Sequence, residues 1–427
     1  MPLTKSSCVI IPFRFTPNPC TMRAVILGLS VILAGTTQAQ RNTTPYVPGA
    51  ATWERREPGQ VGLDPARIQA AVAFAKERES RAPRDLEEAH YQSFGREPFG
   101  SAVGPFKPRG DPSGVIVRNG YIVAEWGDPS RVDMTFSVTK SFLSTTVGLA
   151  VERGIIRSID DTVQHYMGPV LHAEAPALAA EGGRGKFDAR TPIAPFDTPH
   201  NRRITWRHLL QQNSDFEGTL WGKPEWADRP SREPATWWTR GRVDPGTAYE
   251  YNDTRVNALA LAATNVWRRA LPEVLREHVM DPIGASPTWR WYGYDNSWIV
   301  LDGQLVNSVS GGGHWGGGMF ISALDQARFG LLSCRNGRWG TRQIIPESWV
   351  RLSRVPSGPQ PDYGFMNYFL NTGKKRWPNA PETAFAHLGN GTNAVICLPE
   401  QDIVIVARWI QGNALDGLIQ QVVEAVR

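Results

Sequence analysis

Two apolar runs, residues 114–118 and 121–126, flank Asn119-Gly120, and this pattern leaves few folds open to the chain. Asn-Gly suits a two-residue turn with positive φ at both positions, so residues 114–126 predict a β-hairpin. A helix follows the hairpin. From 142 to 151 it is apolar almost all round (Leu143, Val147, Leu149, Ala150), which predicts a buried central helix rather than a surface one. Further strand signals lie at 298–301, 318–321, 393–398 and 402–409, the last two joined by Pro399-Glu400-Gln401. An earlier helix starts where Asp64 serves as N-cap and Pro65 enters its first turn, with Ile68, Val72 and Ala75 at helical spacing. A closing helix over 415–426 puts Leu418, Val422, Val423 and Val426 on one face. The expectation is α/β: one discontinuous domain around an antiparallel sheet flanked by helices. Residues 60–154 and 300–427 form its α/β part, and 155–299 an inserted all-helical subdomain rich in tryptophan (Trp206, Trp221, Trp226, Trp237, Trp238, Trp267, Trp289, Trp291). Residues 79–112 read as a long surface loop and 40–59 as a linker, since both mix charge, proline and glycine without apolar periodicity.

Composition narrows the function classes. The 427 residues are 41% hydrophobic and 20% charged, with 16 tryptophans, values that belong to a compact globular protein. Of the formal net charge of +5, three positives (Lys5, Arg14, Arg23) lie in the first 39 residues, which hold no acid, so the remainder carries only +2. No basic stripe is left for nucleic acid. Arg23, the apolar run 24–35 and Thr37-Gln38-Ala39 read as an export signal cut after Ala39, with Met22 as the expected start. The run is too short to span a bilayer, which takes about 20 apolar residues. A periplasmic or secreted chain with no stable membrane span is therefore expected. Of the four cysteines, Cys334 and Cys397 would remain, and sequence leaves their pairing open, as it does the oligomeric state. No Cys/His cluster has zinc-ligand spacing, and neither metal nor cofactor is implied.

Three short segments carry chemistry. Ser137-Val138-Thr139-Lys140 is the chain's one Ser-x-x-Lys and sits where the hairpin gives way to the helix. A serine hydroxyl attacks a carbonyl only if a neighbour takes its proton, and residues i and i+3 share a helix face, so Lys140 can lie beside Ser137. The same four residues also suit a solvated helix start with Ser137 as N-cap. Tyr251 follows the turn Pro245-Gly246, just before Asn252 and Asp253; its phenol can exchange protons with Ser137 if a cation stands nearby, or it can be a core tyrosine. His387-Leu388-Gly389-Asn390 precedes the strand at 393, where a backbone amide at a strand edge can donate to an oxyanion, or where the chain simply turns. A fourth segment, Ser310 to Gly318 with His314 in its middle, lacks the ending of a phosphate loop; close packing of backbone beside a cleft is the expected use of its glycines.

Taken in order, Ser137-x-x-Lys140, Tyr251 after Pro-Gly-Thr, and His387-x-Gly389 resemble the serine β-lactamase-like hydrolases: class C β-lactamases, D-alanyl-D-alanine carboxypeptidases, related esterases and 6-aminohexanoate-dimer hydrolases. The resemblance runs from about Gly62 to the C-terminus and takes in Leu209-Leu210-Gln211-Gln212-Asn213-Ser214. It implies an acyl-enzyme on Ser137, proton shuttling by Lys140 and Tyr251, an oxyanion hole from the amides of Ser137 and Asn390, and a pocket lined by His387. Two departures follow. Asp253 stands where the family's Tyr-x-Asn has Asn, with Asn252 as a partial substitute, and His387 replaces the lysine that would pair with a lactam carboxylate. Both favour a small-molecule ester, amide or peptide substrate over a β-lactam. β-Lactam or D-Ala-D-Ala cleavage is the alternative, and a non-catalytic penicillin- or peptidoglycan-binding module is the alternative from another class.

Overall fold

The structure, a computed structural model, describes residues 44–50, 52–173, 191–237 and 241–427. The expected export signal and Trp238 lie outside the described residues.

In chain order, α1 (Pro65–Lys76) and α2 (Leu86–Phe94) precede the hairpin β1 (Ser113–Arg118) and β2 (Tyr121–Trp126), and then come β3 (Asp133–Met134) and α3 (Thr139–Glu152). The middle of the chain adds β4 (Val170–Ala173), β5 (Thr191–Ile193), α4 (Asp253–Trp267), β6 (Arg290–Leu301), β7 (Gln304–Val309) and β8 (Gly318–Ile321). The last part holds α5 (Ala323–Cys334), β9 (Phe369–Leu370), β10 (Phe385–Gly389), β11 (Asn393–Leu398), β12 (Ile403–Arg408) and α6 (Leu415–Glu424).

The hairpin turn has the predicted conformation, with φ of 53° at Asn119 and 85° at Gly120. Its first strand pairs antiparallel with β12 (Val115 opposite Val406), giving a six-stranded sheet in the order β9-β10-β11-β12-β1-β2. Its central strands are buried on both faces, which is why they read as unbroken apolar runs and not as alternation. Ile116, Ile396 and Ile405 face α1 and α6, packing with Ile68, Leu418, Ile419 and Val422. Val115, Val395, Val404 and Val406 face the opposite core with Phe142 of α3 and Phe329 of α5. Helix α3 is buried over Thr139–Ala150, as its all-round apolarity predicts. Truncating a core residue such as Leu143 to Ala there costs about 2–5 kcal/mol. Asp64 caps α1 by accepting from the amides of Ala66 and Arg67.

Three expectations change. Residues 155–299 are not all-helical: β4, β5 and β6 lie within them and join a second sheet, β3-β8-β6-β4-β5, with β7 against β6. The expected strand at 298–301 is the end of β6, and the signal of its earlier part is hidden because the aromatics there are interrupted by Gly293, Asp295 and Asn296, where the ladder with β7 shifts register. Residues 79–112 are not wholly loop, since Asp85 caps α2 by accepting from the amides of Glu87 and Glu88. Only Leu86 and His90 of that helix are buried, too few to show a period. The described part of the 40–59 stretch runs along the open edge of β2, where Arg56 N donates to Ile122 O (2.9 Å), Ile122 N to Glu54 O (3.1 Å), and Trp53 Nε1 to Gly120 O (2.8 Å). Cys334 and Cys397 are buried free thiols. Among the described residues no helix is long and apolar enough to cross a membrane.

Candidate active site

The turn between β3 and α3 delivers Ser137. Phe136 adopts φ 48°, an unfavourable backbone for a bulky residue, so the surrounding structure must hold it there. Glycines do so from two sides. A Cβ on Gly312 would meet Phe136 O at 2.1 Å, and one on Gly389 would meet Thr135 O at 2.2 Å. The glycine run after β7 thus packs its backbone beside the Ser137 turn, and the end of β10 does the same from the other flank.

At the start of α3, Lys140 Nζ donates to Ser137 Oγ at 2.7 Å. Lys140 is wholly buried and also pairs with Asp253 Oδ1 at 2.8 Å, hydrogen-bonds Tyr251 and lies 5.0 Å from the Tyr251 ring centre. The structure therefore brings together Ser137, Lys140, Tyr251 and Asp253. Burial pulls the Lys140 pKa down; the Asp253 carboxylate and Tyr251 outweigh it and hold the ammonium above its ordinary range. Asp253 opens α4, where the helix N-terminus favours a carboxylate. Burial penalises its charge, yet Lys140, Arg229 and His314 overcome that and leave it well below the usual carboxylate range.

Arg229 Nη2 donates to Asp253 Oδ2 at 2.9 Å, and its guanidinium lies 5.2 Å from the Tyr251 ring centre. His314 Nδ1 meets Asp253 Oδ2 at 3.2 Å, and its Nε2 meets Glu97 Oε2 at 2.9 Å. Asp228 pairs with Arg229 at 2.6 Å and accepts from the Asp253 amide; burial pushes it up to about 6 against the pull of Arg229. Sequence reasoning missed Glu97, Asp228, Arg229 and the role of His314. The one available signal was His314 itself, a titratable residue inside a glycine run whose Gly313 allows backbone to approach Asp253. Among the described residues, Glu97, Asp228 and His314 are the one group whose ligand atoms are close enough to share a cation. Their hydrogen bonds to one another, to Asp253 and to Arg229 already use those atoms, and no ion is assigned there.

Two expected site residues lie elsewhere. His387 does not line the pocket: on β10 its side chain points to the α3 side, fully buried among Phe329, Tyr368 and Phe385, with Nδ1 at 2.8 Å from Ser141 Oγ. Burial drives its pKa down to about 3, so it is a neutral core histidine. Asn252 is no substitute for the family's Asn, because it caps α4, accepting from Arg255 N at 3.1 Å and donating to Glu225 O at 2.7 Å. Gly389 stands beside the Ser137 turn, where a Cβ on it would lie 3.2 Å from Ser137 N, and Asn390 lines the adjoining cavity with Phe136.

A small cavity of about 60 Å³ lies next to this turn, walled by Phe136, Asn390, Gly391, His314 and Trp409 and covered by Leu86, His90 and Phe94 of α2. The segment that reads as loop is thus a wall of the cleft. Most of the expected tryptophans are core (Trp206, Trp221, Trp267, Trp289, Trp291), whereas Trp226 and Trp237 line a neighbouring hollow on the far side of Arg229.

Comparison with known proteins gives the family and the fold. The family model described as Beta-lactamase matches residues 114–409. A putative beta-lactamase from Bacteroides dorei DSM 17855 shares 14% identity at a TM-score of 0.50, covering 73% of this chain and 93% of its own. A penicillin-binding protein homolog from Caulobacter crescentus shares 15% at a TM-score of 0.50, covering 85% and 98%. No curated protein sequence matches the chain. With the match spanning the hairpin, the Ser-x-x-Lys helix and the closing strands, the chain belongs to the Beta-lactamase family of serine hydrolases.

Proposed function

We propose that the protein cleaves a small ester or amide through an acyl-enzyme on Ser137. The observation that carries this is Lys140 Nζ at 2.7 Å from Ser137 Oγ, in a buried cluster that also holds Tyr251. Asp253, with three cationic partners, stays ionised and keeps Lys140 an ammonium. A proton-bearing Lys140 cannot accept the serine proton, so the acceptor is the Tyr251 oxygen in its phenolate form, whose negative charge the neighbouring Lys140 and Arg229 cations favour before the proton arrives. Ser137 Oγ then bonds the carbonyl carbon as its proton passes to Tyr251, and the carbonyl oxygen takes negative charge beside the amides of Ser137 and Asn390. Collapse expels the leaving group with the proton from Tyr251 and leaves the acyl-enzyme. Water repeats the sequence in reverse roles and frees the acid.

The cavity beneath α2, walled in part by Leu86, Phe94, Phe136 and Trp409, is small and supports no more than a short acyl group. With His387 neutral and buried, no cation at that strand position is available for a lactam carboxylate, which ranks esters and linear amides above β-lactams. The test is intact-mass analysis after a fluorophosphonate, together with turnover of p-nitrophenyl esters, linear amides, D-Ala-D-Ala peptides and a chromogenic cephalosporin. A single adduct that Ser137→Ala abolishes, with ester turnover, is expected. An unlabelled wild type refutes the reading, and acylation without turnover assigns the protein to the non-catalytic binding class instead. We also propose export with cleavage after Ala39; a mature chain beginning before Gln40 refutes it.

A further inference from the structure

A chain of contacts runs from the protein surface to the nucleophile. Glu97 Oε2 meets His314 Nε2 at 2.9 Å, His314 Nδ1 meets Asp253 Oδ2 at 3.2 Å, Asp253 Oδ1 meets Lys140 Nζ at 2.8 Å, and Lys140 Nζ meets Ser137 Oγ at 2.7 Å. His314 is nearly buried and Glu97, in the turn after α2, is partly exposed. Both imidazole nitrogens face carboxylates, and a carboxylate accepts but does not donate, so the ring satisfies both contacts only as the doubly protonated imidazolium. The carboxylate facing Lys140 is therefore clamped on its second oxygen by two cations, His314 and Arg229.

We propose that Glu97 and His314 are positioning residues of the hydrolysis: Glu97 holds the His314 imidazolium, which fixes the Asp253 carboxylate against Lys140 and so keeps the Lys140 ammonium aimed at Ser137. This rests on the hydrolase reading above. The residue replacing the family's Asn thereby acquires a partner set suited to a charge. Burial works against the imidazolium, but Asp253, Glu97 and Asp228 outweigh both it and the repulsion of Arg229, so His314 keeps its proton above its ordinary range. The other groups about the ring are His90 of α2, stacked at 5.7 Å, Phe94 at 4.2 Å and Trp315, with Lys223 over the Trp315 ring. Burial lowers the pKa of His90, which disfavours a second charged ring beside the imidazolium.

The sign follows from the raised value. The clamp is complete at lower pH and is lost as pH rises through the pKa of His314. Acylation of Ser137 by a fluorophosphonate, followed across pH, should show an inflection on the alkaline side. Glu97→Gln, on a partly exposed turn, should move that inflection to lower pH, Glu97→Asp should keep it, and His314→Gln should remove it, each of the first and last slowing acylation by roughly 10- to 100-fold while the KM of an ester changes less than twofold. In ¹⁵N-histidine spectra of the full chain, the resonance missing from His314→Gln should be doubly protonated at pH 7 in wild type, with its midpoint lowered in Glu97→Gln. A His314 that is neutral at pH 6, or a midpoint and inflection unmoved by Glu97→Gln, overturns the proposal while leaving the hydrolase reading intact. A wild type that is never labelled refutes the hydrolase reading, and with it any catalytic role for the clamp, even if His314 titrates as described.

Discussion

Replacing Asp253 with Asn restores the residue usual in the family and tests whether this chain depends on the charge. The side chain is buried, with Lys140 at 2.8 Å, Arg229 at 2.9 Å and His314 at 3.2 Å. Breaking a buried ion pair by removing one partner costs about 3–5 kcal/mol, because the other charge stays buried without compensation. A folded unit of roughly 400 residues unfolds with an entropy of about 0.8 kcal/mol/K, so that loss lowers Tm by about 4–6 °C. The pH dependence separates charge from packing. Asp253 is held well below its unfolded value by its cationic neighbours against the cost of burial, so its contribution is complete above the unfolded carboxyl pKa. It is lost as pH falls towards the folded pKa, by about 1 kcal/mol between pH 4 and pH 3. Scanning calorimetry of wild type and Asp253→Asn at pH 7, 4 and 3 should show the largest gap at pH 7 and 4 and a smaller one at pH 3. A variant melting within 1 °C of wild type at pH 7, or a gap that is the same at all three pH values, would refute the buried-charge argument.

Tyr251→Phe removes the proposed proton acceptor while leaving the ring between Lys140 and Arg229, and stopped-flow hydrolysis of an activated ester should show kcat lower by about 10²–10⁴-fold at a nearly unchanged KM. A loss confined to KM would mean that Tyr251 binds substrate rather than moving a proton. His387, neutral in the core and depressed to about 3, costs stability as pH falls below the ordinary histidine value, since only the unfolded chain then takes up the proton. The slope is about 1.4 kcal/mol per pH unit for one group. His387→Met should therefore flatten the fall of Tm between pH 6 and 4, and turnover at pH 8 should survive because the side chain does not reach the cleft; a steep, unchanged acid limb or abolished turnover contradicts that placement.

How much of this was legible depended on whether the signal was local. The hairpin, α3 and the closing strands declared themselves because Asn119-Gly120 selects one turn and because elements buried on every side must be apolar on every side. Helix α2 and the part of β6 before residue 298 did not, because one buries too few residues to show a period and the other interrupts its aromatics with turn-forming residues.

In the site, sequence by itself determined the contact between the proposed nucleophile and its partner: Ser137 and Lys140 are three residues apart on one helical start, so their contact is a property of local geometry. It also determined that Tyr251 is the phenol to consider and that the chain departs from its family at Asp253 and His387. The tertiary structure alone decided what those departures mean. His387 points away from the cleft because neighbouring positions on a strand face opposite sides, and only the register of β10 against β11 says which side holds the core. Asp253 became the centre of a buried charge network because Arg229, His314 and Glu97, scattered over more than 200 residues of chain, converge on it. No local pattern encodes that convergence. It follows from long-range packing, which brings oppositely charged groups out of water together when none is tolerated there alone.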